Sequence, residues 1–218
     1  MISFTHIYYF LNKNNLSVKM SIGGFNMKKI ISFFSIIIAL ILIVDVCLFI
    51  NKNADKNDRF KFAKEYEITE DNIFVYRNAK EAAKILEDGT GVIFFGFSEC
   101  AWCKAYVPML NEVAIQIGLD KIYYVDIKED REKNTKAYQE IVSHLNNNLL
   151  NDEEGNKRIY VPNLTIVVDG IVVGNNNITS MEVGDPKEYW TEKRQNNFKA
   201  TIKNLLKPYV TETCYMCR

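Results

Sequence analysis

Between Gly91 and Phe97 the chain is apolar at every position that is not glycine, and Cys100-Ala101-Trp102-Cys103 follows within three residues. An apolar run without polar alternation is the pattern of a strand buried on both faces, which requires helices above and below it. A Cys-x-x-Cys at the start of the next helix sets the first sulfur beside unpaired backbone N–H groups and the positive end of the helix dipole, and both favour thiolate over thiol. The thiolate is the attacking species. The second cysteine, about one helical turn on, can attack the resulting mixed disulfide from within. Val161-Pro162 stands before a further apolar run, Leu164 to Val168, and the combination points to thiol–disulfide exchange.

Lys plus Arg and Asp plus Glu both number 27, so no net positive field attracts a nucleic-acid backbone, and nucleic acid is excluded as an expected partner. With 218 residues, 48% of them hydrophobic, the chain can build one compact core once a membrane segment is set aside. Asn-rich runs such as Asn146 to Asn148 are read as loops.

From Ile30 to Ile50 the chain is broken only by Ser32, Ser35 and Asp45, and at about 1.5 Å rise per residue a helix of that length crosses a bilayer core of about 30 Å. Lys28 and Lys29 precede it, so the positive-inside tendency keeps the N-terminus cytoplasmic and exports the chain beyond Ile50. Residues 27–50 are therefore expected to be a signal-anchor transmembrane helix. A buried soluble helix and a cleaved signal peptide are the alternatives, although no small-x-small cleavage site follows the run. Lipidation at Cys47 is a further one, and it is opposed by Val46 at a position that requires a small residue and by the charge of Asp45. Residues 1–26 show no periodic pattern. Met27-Lys28-Lys29 looks like an export start, so 1–26 is expected to be a misassigned leader, with Gly23-Gly24 matching a ribosome-binding purine run read through as protein.

Residues 51–61 are polar, mixed in charge and aperiodic, and predict a tether. The domain is expected over 62–210, in alternating strands and helices. Ile73 to Tyr76 predicts a strand, and Asn78 caps a helix from Ala79 to Glu87 that stops at Gly89. Val92 to Phe97 is the central strand. The helix that opens at the cysteines carries Val107, Leu110, Val113, Ala114 and Ile117 on one stripe, with a kink expected at Pro108. Lys121 to Ile127 predicts a strand and Arg131 to Leu145 one helix. Ile159 to Val161, Leu164 to Val168 and Ile171 to Val173 predict antiparallel strands that turn at Asp169-Gly170. Phe198, Ile202, Leu205 and Leu206 mark a last helix, closed by Pro208, and 211–218 reads as a cysteine-containing tail.

This order of elements, with the dithiol after the central strand and Val161-Pro162 before the hairpin, resembles the thioredoxin superfamily over about Ile68 to Val210. The segments Glu99 to Lys104 with Val107-Pro108, Lys121 to Ile127, and Arg158 to Pro162 are similar to those of exported, membrane-tethered thioredoxin-like proteins of Gram-positive bacteria, some known as bacteriocin-transport accessory proteins. The resemblance implies an α/β thioredoxin fold, a central mixed sheet flanked by helices, behind the transmembrane helix. It implies Cys100 as nucleophile, Cys103 as resolving thiol and Pro162 as a cis-proline facing the disulfide, with the Val161-Pro162 backbone presented to an extended substrate. Trp102, by its own position, reads either as a substrate contact at the rim of the site or as a surface filler. No organic cofactor and no metal are implied, because the redox group is the cysteine pair itself.

One position departs from the family. Thioredoxins place a buried Asp six residues before the first cysteine, and this chain has Phe94 there; Glu99 and Lys104 are the nearest charged residues in sequence. Ala101-Trp102 also differs from the thioredoxin dipeptide, which leaves the potential, and so the direction of electron flow, open. Cys214-Tyr215-Met216-Cys217 is a second Cys-x-x-Cys. It reads either as an auxiliary redox pair exchanging with Cys100 and Cys103 or as an independent local disulfide. One zinc site built from all four cysteines would consume the redox pair. His6 and His144 support neither a Cys–His nucleophile nor a metal cluster.

The expected function is thus extracytoplasmic thiol–disulfide exchange on exported cysteine-containing proteins, in the service of cell redox homeostasis, coupled to a membrane-embedded electron donor or acceptor. The alternative is a non-catalytic thioredoxin-fold accessory module that holds an exported peptide or a transporter.

Overall fold

The computed structural model describes the backbone of residues 27–216 and the side chains of 32–46 and 53–210. The expectations for the leader 1–26, for lipidation of the Cys47 side chain, and for Cys217 lie outside these. The chain divides into two units between Phe49 and Ile50.

In the first unit, helix α1 (Met27–Tyr66) begins. Its described side chains from Ser32 to Val46 are all exposed, including Phe33 at 66% and Leu42 at 59%. Among the described residues no helix is long and apolar enough to cross a membrane.

The second unit is an α/β domain built on a mixed five-stranded sheet. Its strands are β1 (Phe74–Tyr76), β2 (Gly91–Gly96), β3 (Ile122–Asp126), β6 (Asn163–Val168) and β7 (Ile171–Asn176), in the order β1-β3-β2-β6-β7. The first three are parallel, β6 is antiparallel to β2, and β7 to β6. Every residue of β2 is buried, as its unbroken apolar character requires.

Helices cover both faces. Alternation along the strands puts Phe94 and Tyr124 on one face, where Phe94 stacks on Tyr106 of α3 (Ala101–Gln116). Tyr123 is on the other face, beside Gly91 and Ile85 of α2 (Ala79–Asp88). Asn78 closes a capping box with Glu81 at the start of α2, satisfying two backbone N–H groups that the first turn leaves open. α5 (Lys136–Leu145) packs with α2, and α7 (Glu192–Met216) with α3. The arrangement is compatible with a thioredoxin-like fold.

Four expectations change. Residues 51–61 are helical rather than a tether. Asp58 accepts from the Tyr76 N–H (2.9 Å) and Asp55 pairs with Lys121 (3.4 Å), so polar residues without an apolar stripe are held by partners distant in sequence. Phe62 then stacks on Tyr66 and Phe74 at 4.3 and 4.1 Å. The single helix expected over Arg131 to Leu145 is two, α4 (Lys128–Glu132) and α5, because Asn134 takes φ 45° and Thr135 caps a new helix. The Asn-rich loop contains a small ladder, β4 (Leu150–Asn151) with β5 (Lys157–Arg158), whereas 159–161 is not strand. Finally, α7 continues through Pro208 to Met216. The missing N–H at Pro208 orphans the carbonyl of Asn204, whose side is exposed, so water can take that acceptor. A short helix, α6 (Pro186–Tyr189), precedes it.

Candidate active site

The chain leaves β2 at Gly96, turns through a hydrogen bond from the Cys100 N–H to the Phe97 carbonyl (3.1 Å), and starts α3. Cys100 is the N-cap of that helix, with extended backbone (φ −77°, ψ 111°), and its sulfur accepts the Cys103 N–H at 3.1 Å. The sulfur thus takes the place of the oxygen that usually caps a first turn. Cys100 is half-buried and Cys103 fully buried, both as free thiols.

Their acidities are driven apart. The Cys103 thiol hydrogen-bonds to the Cys100 sulfur and, with the N–H groups of Cys103 and Trp102 and the charge of Arg131, holds Cys100 below the ordinary thiol range against the opposing effect of burial. Burial, and then Cys100 itself, push Cys103 well above it. One sulfur is poised as a nucleophile while its neighbour keeps its proton.

Arg131 has no sequence signal that ties it to the cysteines. It lies on α4 just past β3, and its guanidinium sits 5.3 Å from the Phe97 ring centroid and donates to the Ile159 carbonyl at 3.2 Å. Tyr138 accepts the Ile159 N–H through its hydroxyl (3.2 Å), so α4 and α5 together hold the segment that leads to Val161-Pro162. The peptide bond between Val161 and Pro162 is cis, and both residues are buried. Asn163, next in the chain, pairs with Phe95 near the end of β2, so the register carries Pro162 and Cys100 to the same end of the sheet.

Phe94, at the position where thioredoxins place an Asp, is fully buried and stacked on Tyr106 and Tyr124 at 5.6 and 6.2 Å. Glu99 and Lys104 are on the surface instead, in ion pairs with Lys128 and Glu67. The buried polar groups beside Phe94 include phenols, with Tyr66 donating to the Tyr124 hydroxyl at 3.2 Å and Tyr106 to the Asn176 side-chain oxygen at 3.0 Å. Burial, then Tyr124, then Cys103 raise the Tyr66 phenol far above its ordinary value.

Trp102, between the cysteines, meets Tyr189 edge-on at 5.2 Å, in a stretch whose sequence carries no motif. From there α7 runs alongside α3: Phe198 packs on Tyr106 (4.6 Å) and Lys199 pairs with Glu112 (2.6 Å), so the helix leads away from Cys100. The backbone of Cys214 belongs to α7, and its side chain lies outside the described residues, as does all of Cys217. The four-cysteine zinc arrangement therefore also falls outside them.

The chain matches no protein-family model and no curated protein.

Proposed function

We propose that this protein is a thioredoxin-type thiol–disulfide oxidoreductase. The observation that carries the reading is the geometry within one helical turn: the Cys100 sulfur caps the helix and accepts the Cys103 N–H, and Cys103 is fully buried. In the reducing direction the Cys100 thiolate attacks a substrate disulfide, its S–S bond breaks, and one substrate sulfur leaves as a thiolate that takes up a proton. Cys103 then loses its proton and attacks the Cys100 sulfur, releasing the second substrate thiol and leaving Cys100–Cys103 oxidised. The substrate has gained two electrons and the chain has lost two. An external dithiol restores the pair, and oxidation of substrates is the same sequence reversed. Pro162 presents the backbone against which the mixed disulfide is held.

The same reading puts the protein at a membrane. The run Ile30 to Ile50 is apolar except at Ser32, Ser35 and Asp45, and the exposed side chains Phe33, Phe34, Ile41 and Leu42 call for a non-aqueous cover. With Lys28 and Lys29 cytoplasmic, the domain acts outside the cytoplasm on exported cysteine-containing polypeptides.

The test is equilibration of the full chain, in detergent, with glutathione and dithiothreitol buffers. A potential of about −270 mV supports a reductase and one of about −120 mV an oxidase. No exchange at any poise, with Cys100→Ser retaining its partner, would replace the enzyme by a binding module.

A further inference from the structure

A cleft of about 170 Å³ opens between the end of β7 and the start of α7, lined by Asn176, Ile178, Tyr189, Trp190, Arg194 and Phe198 among others. A cavity of about 150 Å³ accommodates a benzene ring, so its size is that of one large side chain. Its wall is continuous with the dithiol, because Tyr189 meets Trp102, which stands between Cys100 and Cys103. Trp190 packs edge-on against Tyr189 and Phe198 at 5.0 and 5.1 Å, which makes the lining aromatic. Arg194 lies 4.3 Å over the Tyr189 ring and donates to its carbonyl, which fixes that ring at the rim.

Polar groups in the wall and in the adjacent loop lack partners among the described residues. Trp190 is 8% exposed, yet its Nε1 has no acceptor, and the hydroxyls of Thr179 and Ser180, in the stretch just after Ile178, also lack partners. Buried donors without partners are rare in folded chains, and three in neighbouring segments mark a surface completed by something else. Beside them Ile178, Met181 and Val183 are 57%, 54% and 90% exposed, so this loop carries apolar side chains with no cover of their own. A polypeptide offers both complements at once, an acceptor carbonyl at every residue and an apolar side chain. A small thiol such as glutathione offers no large apolar group.

We infer that the cleft of Tyr189, Trp190 and Phe198 is a specificity subsite that seats an aromatic or branched apolar side chain flanking the reacting cysteine of a polypeptide substrate. The assignment rests on the reading of Cys100 as the exchanging thiol. The loop 177–184 is the part that yields as the peptide enters, which brings the indole N–H and the hydroxyls into reach of peptide carbonyls.

Two disulfide-linked peptides test it, identical except for Phe or Gly beside the cysteine, with kcat/KM measured for the full chain in detergent. The expected result is a preference for the Phe peptide of about tenfold, which Trp190→Phe reduces and Ile178→Asp brings close to one. Ile178 is exposed, so its replacement probes the cleft without entering the core, and unfolding midpoints of both variants confirm that they fold. Equal rates for the two peptides with the unaltered chain would overturn the subsite, as would a preference that Ile178→Asp leaves intact. Exchange with neither peptide by the folded chain would remove the oxidoreductase reading and the subsite together.

Discussion

The Cys103 N–H meets the Cys100 sulfur at 3.1 Å, so the residue proposed to resolve the mixed disulfide also supports the proposed nucleophile. Cys100 is held below the ordinary thiol range, first by the Cys103 thiol, and Cys103 is raised above it by burial. Of the two thiols in the dithiol, iodoacetamide is expected to alkylate Cys100 and spare Cys103, with a Cys100 midpoint below the ordinary thiol value of about 8.5. Replacing Cys103 by Ala removes the thiol hydrogen bond, keeps the N–H, and moves that midpoint up; mass spectrometry of the labelled protein against pH checks both.

The same asymmetry fixes how the reduced protein responds to pH. Between the lowered Cys100 value and about 8.5 the unfolded chain holds both thiol protons and the folded chain only that of Cys103, so stability rises with pH. Above about 8.5 the unfolded chain has lost both and the folded chain still holds one, so stability falls as pH climbs toward the raised Cys103 value. Urea midpoints of the reduced protein are expected to peak near the ordinary thiol value. Cys100→Ser should flatten the rising limb and leave the falling one; a profile unchanged by that substitution sinks the assignment.

Arg131 joins the dithiol to the cis-proline segment by charge on one side and by its bond to the Ile159 carbonyl on the other. Arg131→Met keeps most of the packing volume and loses both. Its expected effects are an upward move of the Cys100 alkylation midpoint and a stability loss of ~1–2 kcal/mol. Arg131→Lys should restore the midpoint more than the stability, since a lysine keeps the charge without the planar fork. An unmoved midpoint in Arg131→Met would show that the cation does not act on Cys100.

Phe94 sits in an aromatic layer that includes Phe74, Tyr106 and Tyr124. Phe94→Asp would put a carboxylate there with no cation to pair it, and the expected outcome is loss of the fold, a cost above ~4 kcal/mol, rather than faster resolution. Phe94→Leu should cost ~1–2 kcal/mol and leave the alkylation midpoint of Cys100 in place. A folded Phe94→Asp protein in guanidinium titration would contradict this account of the layer.

Elements whose pattern is local were legible: the apolar stripe of α3, the cap at Asn78, and β2, apolar throughout because both of its faces are buried. Their sequences satisfy local and global demands at once. Residues 51–61 were not legible, because Asp55 and Asp58 are fixed by Lys121 and by the Tyr76 N–H, partners distant in sequence. Nor was the break at Asn134, where a left-handed backbone interrupts a run of good helix formers. Arg131 and Tyr189 join the site only through the way α4 and α6 return to the dithiol end of the sheet. No spacing in the sequence encodes such contacts.

The hairpin turn shows a local signal that a tertiary contact makes stricter. Asp169 and Gly170 both have positive φ, 48° and 75°, as a two-residue turn between twisted strands requires, and that much is expected of the Asp-Gly pair. The structure adds that the Gly170 N–H donates to the Gly89 carbonyl at 2.8 Å, while a Cβ on Gly170 would lie 2.4 Å from the carbonyl oxygen of Glu87. Backbone atoms of the α2 terminus cannot yield as a flexible side chain could. Gly170→Ala therefore combines left-handed strain with a steric clash and is expected to cost more than ~2 kcal/mol, against ~1 kcal/mol for the strain alone. Asp169→Gly, at a position with the same sign of φ, serves as the comparison and should be close to neutral. Thermal midpoints of the two variants decide it: similar small shifts would mean that the turn floats free of α2, and a large shift confined to Gly170→Ala that the turn is seated on it.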